Sequence, residues 1–194
     1  MQDLFIKRFQ NYKDLGDKHF PQLSETNFFW QYNDESNSIA IIIKHISGNM
    51  LSRWTNFLTE DGEKEWRNRD LEFVNDFNNK QEILDFWEKG WQCLFEALNK
   101  VNDENINQTI LIRGEKHSVL DALLRQLAHY ANHIGQIIYI VKMLKGGDWK
   151  TLSIAKNQSK NFNKNIFAAD SGQENSSPVC FADSKEVRDD YKLE

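Results

Sequence analysis

Residues 118–145 constrain the fold of this 194-residue chain more than any other segment. Apolar residues recur in this segment every three or four positions, which predicts one amphipathic α-helix of about 27 residues. Ser118 is a typical helix N-cap, and Gly146-Gly147 is a typical stop after the last turn. A helix of this length must bury its apolar face along other long helices, so the segment favours a helical bundle.

Three further segments have the same helical spacing of apolar residues. They cover residues 3–20, 38–58 and 80–100, and the second begins with another candidate N-cap, Ser38. The longest connection, residues 59–79, is polar and without a period. It is either a solvated connection whose Trp66 packs on the bundle or a cover over the mouth of a functional site, with Trp66, Arg67 and Arg69 as the candidate covering residues. The fold class that follows is all-α, a four-helix bundle with long inter-helix loops.

The composition fits one globular domain with a C-terminal extension. Hydrophobic residues make up 40% and charged residues 27% of the chain, which is ordinary for a globular protein. Residues 1–163 are assigned to the bundle, in which the alternating segment 109–114 predicts an extended connector or a small hairpin. Residues 164–194 are rich in Ser, Asp, Glu and Asn, and they are predicted to form a poorly ordered tail.

The charge and the cysteines argue against several classes of function. A formal net charge of -5 disfavours binding to nucleic acid or to an anionic membrane, and no apolar run is long enough to span a bilayer. Cys93 and Cys180 form no Cys-x-x-Cys pair, which favours a reducing compartment, and the charged N-terminus does not resemble a signal peptide. We therefore expect a cytoplasmic protein in which Cys93 is a packing residue rather than a nucleophile.

The histidines indicate a metal site. His129 and His133 are four residues apart in the fourth predicted helix, which places their Cβ atoms about 5–6 Å apart on one face. Two imidazoles rarely suffice for a divalent metal, and His45, on the inward face of the second helix, is the candidate third ligand. Three imidazoles leave open coordination positions on Zn²⁺, Ni²⁺ or Fe²⁺, and affinity order alone does not choose among these metals. The alternative is a set of satisfied core histidines.

Three amides lie near these histidines in the predicted helices. Gln126 and Gln136 fall on the same stripe of the fourth helix as its two histidines, and Asn49 follows His45 by one turn. Such amides can orient an imidazole ligand from outside the coordination shell. Ordinary hydrogen bonds between helices would explain them equally well.

Several runs of the sequence resemble the DinB/YfiT-like superfamily of metal-binding four-helix bundles. The resemblance rests on the histidine within residues 44–50 and on the His-x-x-x-His motif followed by Gly-Gln within residues 129–136. A bacterial subfamily of unknown function within that superfamily is similar in further runs, at residues 36–40, 52–54, 61–64, 66–70 and 146–150. The similarity covers roughly residues 1–163.

The resemblance implies a divalent metal held by His45, His129 and His133, and it implies a homodimer. Some members of the superfamily are thiol S-transferases that use a low-molecular-weight thiol, and others are maleylpyruvate isomerases or have no assigned reaction. The predicted function is therefore metal-dependent transfer of a small-molecule thiol to an electrophile. The alternatives are a metal-dependent hydrolase and a non-catalytic metal-binding or stress-response bundle.

Three arginines are candidates for binding the substrate. Arg53, Arg67 and Arg69 carry guanidinium groups, which match the carboxylates of a thiol cosubstrate in charge and in planar shape. Solvated or interhelical ion pairs are the competing interpretation. No motif in the sequence identifies a catalytic residue.

Overall fold

The computed structural model describes residues 1–170, which are mostly helical. The helices are α1 (Gln2–His19), α2 (Glu25–Phe29), α3 (Ile39–Trp54), α4 (Lys80–Leu98), α5 (Val119–Lys145) and α6 (Ser159–Asp170). Short 3₁₀-helices cover Phe20–Gln22, Asp70–Phe73 and Gly146–Asp148, and two short antiparallel strands cover β1 (Thr109–Ile112) and β2 (Glu115–Ser118). The predicted all-α bundle is confirmed, with α1, α3, α4 and α5 as its long helices.

Two of these helices begin at the serines that the sequence indicated. Ser38 Oγ accepts a hydrogen bond from the backbone N–H of Ile41 at 3.2 Å, and Ser118 Oγ accepts one from Asp121 at 3.0 Å. Helix α3 ends four residues before the predicted end at residue 58. The chain leaves the helix there because the C-cap residue Thr55 is extended, with φ of -64° and ψ of 120°, and Asn56 follows in a left-handed conformation, with φ of 48°.

The core lies between the long helices and is rich in aromatic side chains. Helix α3 packs against α4 and α5, and α1 packs against the same two helices. The largest fully buried side chains include Trp87, Trp91, Tyr130, Phe9 and Phe28. Helices α3 and α4 approach closely at Gly90, where a Cβ atom would lie 2.8 Å from Ser47 Cα. This packing fixes the position of the inner face of α3, which carries His45.

The segment predicted as an extended connector or a hairpin is a hairpin. Arg113 and Gly114 form its two-residue turn, with φ of 56° and 77°, as a type I′ turn requires. Asp61 joins this turn to the segment after α3, because its carboxylate accepts the backbone N–H groups of Arg113 at 2.8 Å and Gly114 at 2.7 Å. The hairpin therefore anchors one end of the long connection between α3 and α4.

The connection of residues 59–79 differs from its prediction in one respect. It contains the 3₁₀-helix Asp70–Phe73, which packs against α3 and buries Glu72 to 6% exposure. Trp66, a candidate covering residue, is 61% exposed, so it does not pack over the bundle. The segment is thus neither a fully solvated connection nor a cover formed by Trp66.

The chain divides after Lys145 into two compact units. The second unit contains α6, which the sequence analysis did not predict, and the predicted domain boundary at residue 163 falls inside this helix. Residues 171–194, which hold Cys180 and most of the predicted tail, lie outside the described residues. Within residues 1–170, no helix combines the length and the apolar character that a membrane crossing needs.

Candidate metal centre

Three histidine side chains from α3 and α5 converge on one point. His129 Nε2 lies 3.3 Å from His45 Nε2 and 3.1 Å from His133 Nε2. One nitrogen of each ring lies within 4.8 Å of one nitrogen of each of the others. Nitrogens that are each about 2.1 Å from a common zinc ion lie about 3.0–3.4 Å apart, so this spacing suits a metal. The three histidines predicted from the sequence are therefore positioned to hold one ion.

The outer nitrogen of each ring faces an oxygen atom. His45 Nδ1 lies 2.9 Å from a carboxylate oxygen of Glu72, His129 Nδ1 lies 3.3 Å from Gln126 Oε1, and His133 Nδ1 lies 2.8 Å from Gln136 Oε1. An oxygen acceptor places the ring proton on Nδ1 and leaves the Nε2 lone pair free. Three lone pairs that point at one another repel unless a cation lies between them, so the donor set fits a metal ion.

The surroundings keep two of the imidazoles neutral. Burial, together with the charges of His133 and His45 and of two nearby arginines, lowers the pKa of His129 to about 3. Burial also lowers the pKa of His133, although its hydrogen bond to Gln136 acts in the opposite direction. Neutral imidazole is the form that binds metals, so these residues need lose no proton near neutral pH.

The support of His45 comes from Glu72, which the sequence analysis missed. Arg67 binds the same carboxylate through two nitrogens, with Nε 2.8 Å from Oε1 and Nη2 3.0 Å from Oε2. Burial acts to raise the pKa of Glu72, but its hydrogen bonds from His45 and Arg67 outweigh burial and hold that pKa below its ordinary value. Glu72 is therefore a carboxylate that orients a histidine of the candidate metal centre. Phe73 stacks on the other side of the His45 ring, with centroids 5.0 Å apart.

One feature of the sequence indicated that another group approaches α3 closely, namely the glycine in the middle of this helix. A Cβ atom at Gly48 would lie 2.6 Å from Glu72 Oε1 and 3.1 Å from its Cδ. An isolated glycine in a helix often marks a close approach of another group, and here that group is the carboxylate. The position of Glu72 itself, in a segment without periodicity, carried no such signal.

The amides take two different roles. Gln126 and Gln136 face His129 and His133, where the stripe on α5 placed them. Asn49 Oδ1 instead accepts the hydroxyl proton of Tyr130 at 3.0 Å, which is the ordinary hydrogen bond between helices that the sequence left open as the alternative. Tyr130 in turn accepts a hydrogen bond from Trp54 Nε1 at 3.2 Å. Asn49 thus belongs to an ordinary hydrogen-bond link between α3 and α5.

The three candidate arginines have three different environments. Arg67 is bound to Glu72 and also to Glu63, with Nη1 2.9 Å from Oε2, so each of its three nitrogens donates to a carboxylate. Arg69 is exposed, and its guanidinium lies over the Phe73 ring at 5.2 Å. Arg53 is only 4% exposed. The structure therefore does not bring the three together as one substrate-binding group.

A cavity of about 330 Å³ lies between α3, α5 and the segment after α2. Two of its lining residues are neighbours of the histidines: Gln136 binds His133, and Ile42 precedes His45 by one turn of α3. The lining residues are Trp30, Tyr32, Glu35, Ser36, Asn37, Ile42, Gln136, Tyr139, Ile140 and Met143. Aromatic and aliphatic side chains line the cavity together with four polar ones, Glu35, Ser36, Asn37 and Gln136.

The fold and the histidine cluster together define a helical bundle with a candidate metal centre. The chain belongs to the family described as a protein of unknown function (DUF1572), whose model matches residues 2–158. No curated protein matches the chain. The family supplies no reaction, and the wider DinB/YfiT-like resemblance stays a prediction. The function must therefore be argued from the site.

Proposed function

We propose that this protein binds one divalent metal ion through His45, His129 and His133. The observation that carries the proposal is the convergence of three Nε2 atoms at 3.1–3.3 Å, with each Nδ1 held by an oxygen. Three neutral ligands leave the full charge of a divalent ion uncompensated and leave coordination positions open, which distinguishes catalytic from structural sites. Zinc, nickel and iron all accept this donor set.

The reaction that we propose is transfer of a small-molecule thiol to an electrophile. A divalent metal at the triad would supply a Lewis acid that stabilises the thiolate near neutral pH. In such a transfer the thiol gives its proton to solvent water, its sulfur bonds to the electrophilic carbon, and the group on that carbon leaves with the bonding electrons. The expected partners are a low-molecular-weight thiol, the electrophile and a second copy of the chain.

The chain's own residues would serve this reaction by fixing the open side of the site. Glu72 and Arg67 hold the His45 ring in one orientation, and Phe73 covers one face of that ring. The aromatic cavity beside Gln136 and Ile42 offers an apolar surface on which an electrophile can rest close to the histidines. Rigid ligands and a shaped apolar pocket are what positioning of two reactants requires.

A non-catalytic metal-binding bundle is the second candidate, and one observation favours it. The triad ties α3 to α5, and through Glu72 it also ties the 3₁₀-helix Asp70–Phe73 to α3. A metal there would join three parts of the fold, as structural metals do. In that case the protein would lose stability without its metal and would turn over no thiol.

Elemental analysis of the purified protein beside a His129→Ala variant tests the proposal. We expect about one metal per chain in the wild type and little in the variant. His117→Ala is the matched control, because His117 lies outside the triad and contacts Asp121 at 2.6 Å. Equal metal contents in wild type and His129→Ala, or no metal uptake after chelation and refilling, would refute metal binding by the triad.

A thiol-conjugation screen of the metal-loaded protein separates the two candidate functions. Turnover that depends on His129 supports the transferase. A large drop in melting temperature on metal removal, combined with no turnover for any pair of thiol and electrophile, supports the structural role instead.

A further inference from the structure

The guanidinium of Arg53 is a buried charge that the proposed metal site does not use. Arg53 is 4% exposed, and within residues 1–170 its Nε and Nη1 atoms are buried without a hydrogen-bond partner. Burial of a cation without an acceptor is costly, and proteins normally supply an anion in such places. Each of the two edges by which a guanidinium pairs with a carboxylate contains one of these two nitrogens.

The neighbouring carboxylates are already engaged. Asp61 accepts three backbone N–H groups, those of Glu63, Arg113 and Gly114, at 2.7–2.8 Å. Glu63 pairs with Arg67 at 2.9 Å and with Arg113 at 3.4 Å. Both acids act on the charge of Arg53 from a distance, and neither forms a hydrogen bond with its buried Nε or Nη1. The nearby acids therefore do not satisfy the guanidinium.

The remaining contacts close one side of Arg53. The hydroxyl of Tyr130 is used by Asn49 and Trp54. A Cβ atom at Gly62 would lie 2.8 Å from Arg53 Nη1, so only the bare backbone of a glycine fits against the guanidinium there. This backbone is fixed, because the Gly62 carbonyl accepts a hydrogen bond from the Ser52 hydroxyl at 3.1 Å. An acceptor for Arg53 must therefore approach from another side.

The charges around Arg53 favour an anion. Burial lowers the pKa of Arg53, and the positive charges of Arg125 and Arg67 lower it further. Tyr130 and Glu63 act to raise it. These neighbours would attract a negatively charged group to the guanidinium. A carboxylate fits one free guanidinium in charge and in planar shape.

Arg53 lies on the same helix as a metal-ligand candidate. It follows His45 by eight residues, which corresponds to about 12 Å along α3. Its charge also contributes to the lowered pKa of His129. Arg53 and His45 are thus about two turns apart on α3, a separation that a small molecule with a group at each end can span.

We infer that the ligand of this site is a small carboxylic acid, whose carboxylate binds Arg53 while a second donor atom of the same molecule faces the histidine triad. The second contact rests on the proposed metal function, whereas the carboxylate contact stands on Arg53 itself. For the proposed thiol transfer, the expected cosubstrate is a thiol that carries a carboxylate a few bonds from its sulfur.

The first experiment probes the carboxylate contact in metal-free protein. We expect millimolar propionate to raise the melting temperature, and propionamide at the same ionic strength to leave it unchanged. Arg53→Met should abolish the propionate shift, and Arg8→Met, which removes an exposed arginine of α1, should retain it. The comparison uses ligand-induced shifts, so it holds even where a variant changes the starting stability. Equal shifts from propionate and propionamide, or a shift that survives in Arg53→Met, would overturn the inference.

The second experiment adds the metal and separates the two proposals. In cobalt-loaded protein, followed by its absorption spectrum, mercaptopropionate should bind at least about tenfold more tightly than mercaptoethanol, which lacks the carboxylate. Arg53→Met should remove this preference, and Arg53→Lys should retain part of it. Equal affinities in the wild type would overturn the inference. If no cobalt binds while the propionate shift persists, the metal function fails and the carboxylate site at Arg53 is supported.

Discussion

The two halves of the histidine centre are held by different means. On α5, each histidine faces an amide three residues away on the same helix, and the amide at Gln136 is exposed. On α3, His45 is held by a carboxylate 27 residues away, and both side chains are at most 8% exposed. The α5 half therefore depends on helix geometry alone, whereas the α3 half depends on the tertiary fold of residues 59–79. Mutations in the two halves should differ in kind.

Removal of the Glu72 carboxylate should have the largest effect. Glu72→Ala leaves the Arg67 side chain, which is 3% exposed, with only its pair to Glu63, and it frees the His45 ring. We expect a loss of about 3 kcal/mol in the free energy of unfolding of the metal-free protein, and a 10–100-fold weaker metal affinity. Urea unfolding and metal titration measure the two effects. Glu65→Ala, at an exposed position of the same segment, should change neither.

A smaller effect is expected from a methyl group on α3. In Gly48→Ala the new Cβ would lie 2.6 Å from the Glu72 carboxylate and would displace it from His45. We expect metal affinity to fall about tenfold, although alanine favours a helix over glycine by about 1 kcal/mol. Gly135→Ala on α5 is the matched control, because nothing lies within 4 Å of its Cβ position. An unchanged metal affinity in Gly48→Ala would show that Glu72 does not support the site.

The α5 half should tolerate the loss of its exposed amide. Gln136→Ala removes the acceptor that lies 2.8 Å from His133 Nδ1, but water can replace it at this exposed position. We expect a change of at most about 0.5 kcal/mol in stability and a loss in metal affinity smaller than that of Glu72→Ala. If Gln136→Ala weakened metal binding as much as Glu72→Ala, the contrast between the two halves would be wrong.

The anchor of residues 59–79 at the hairpin should respond to acid. Burial acts to raise the pKa of Asp61, but its three backbone hydrogen bonds outweigh burial and hold that pKa below the ordinary value. The stability that Asp61 contributes is therefore complete above about pH 4, the range of an unfolded Asp, and is lost as the pH falls through its folded pKa. Asp61→Asn should be less stable than wild type near neutral pH and should lose less stability on acidification, by urea unfolding. Asp34→Asn, at an exposed aspartate, should keep the wild-type pH dependence.

The same contrast explains what the sequence could predict. The spacing of His129 and His133, their flanking glutamines and the caps at Ser38 and Ser118 are local features, and the structure has them where the sequence placed them. Glu72 supports His45 through a contact between segments that are distant in sequence, so no periodic pattern predicted it. The two interpretations of Asn49 stayed open for the same reason, since one turn of separation on α3 did not show that Tyr130 would take its oxygen.

The arginines show a further limit of the sequence. All three arginines carry the same guanidinium group, so the sequence made them equal candidates for binding a carboxylate. Only their burial and their ion pairs distinguish them. Arg67 is neutralised by two acids, Arg69 is exposed over Phe73, and Arg53 is buried with unpaired donors. Such differences arise from the folded arrangement of residues 59–79 around α3, which composition and spacing do not reveal.

X-ray absorption spectroscopy of the protein loaded with one equivalent of zinc tests the central claim most directly. The account predicts one zinc per chain with three imidazole nitrogens at about 2.0–2.1 Å, completed by light atoms at the open positions. The His129→Ala variant should lose this signature. A zinc environment that contains sulfur in place of imidazole, or the same spectrum in wild type and variant, would contradict the assignment of the metal to His45, His129 and His133.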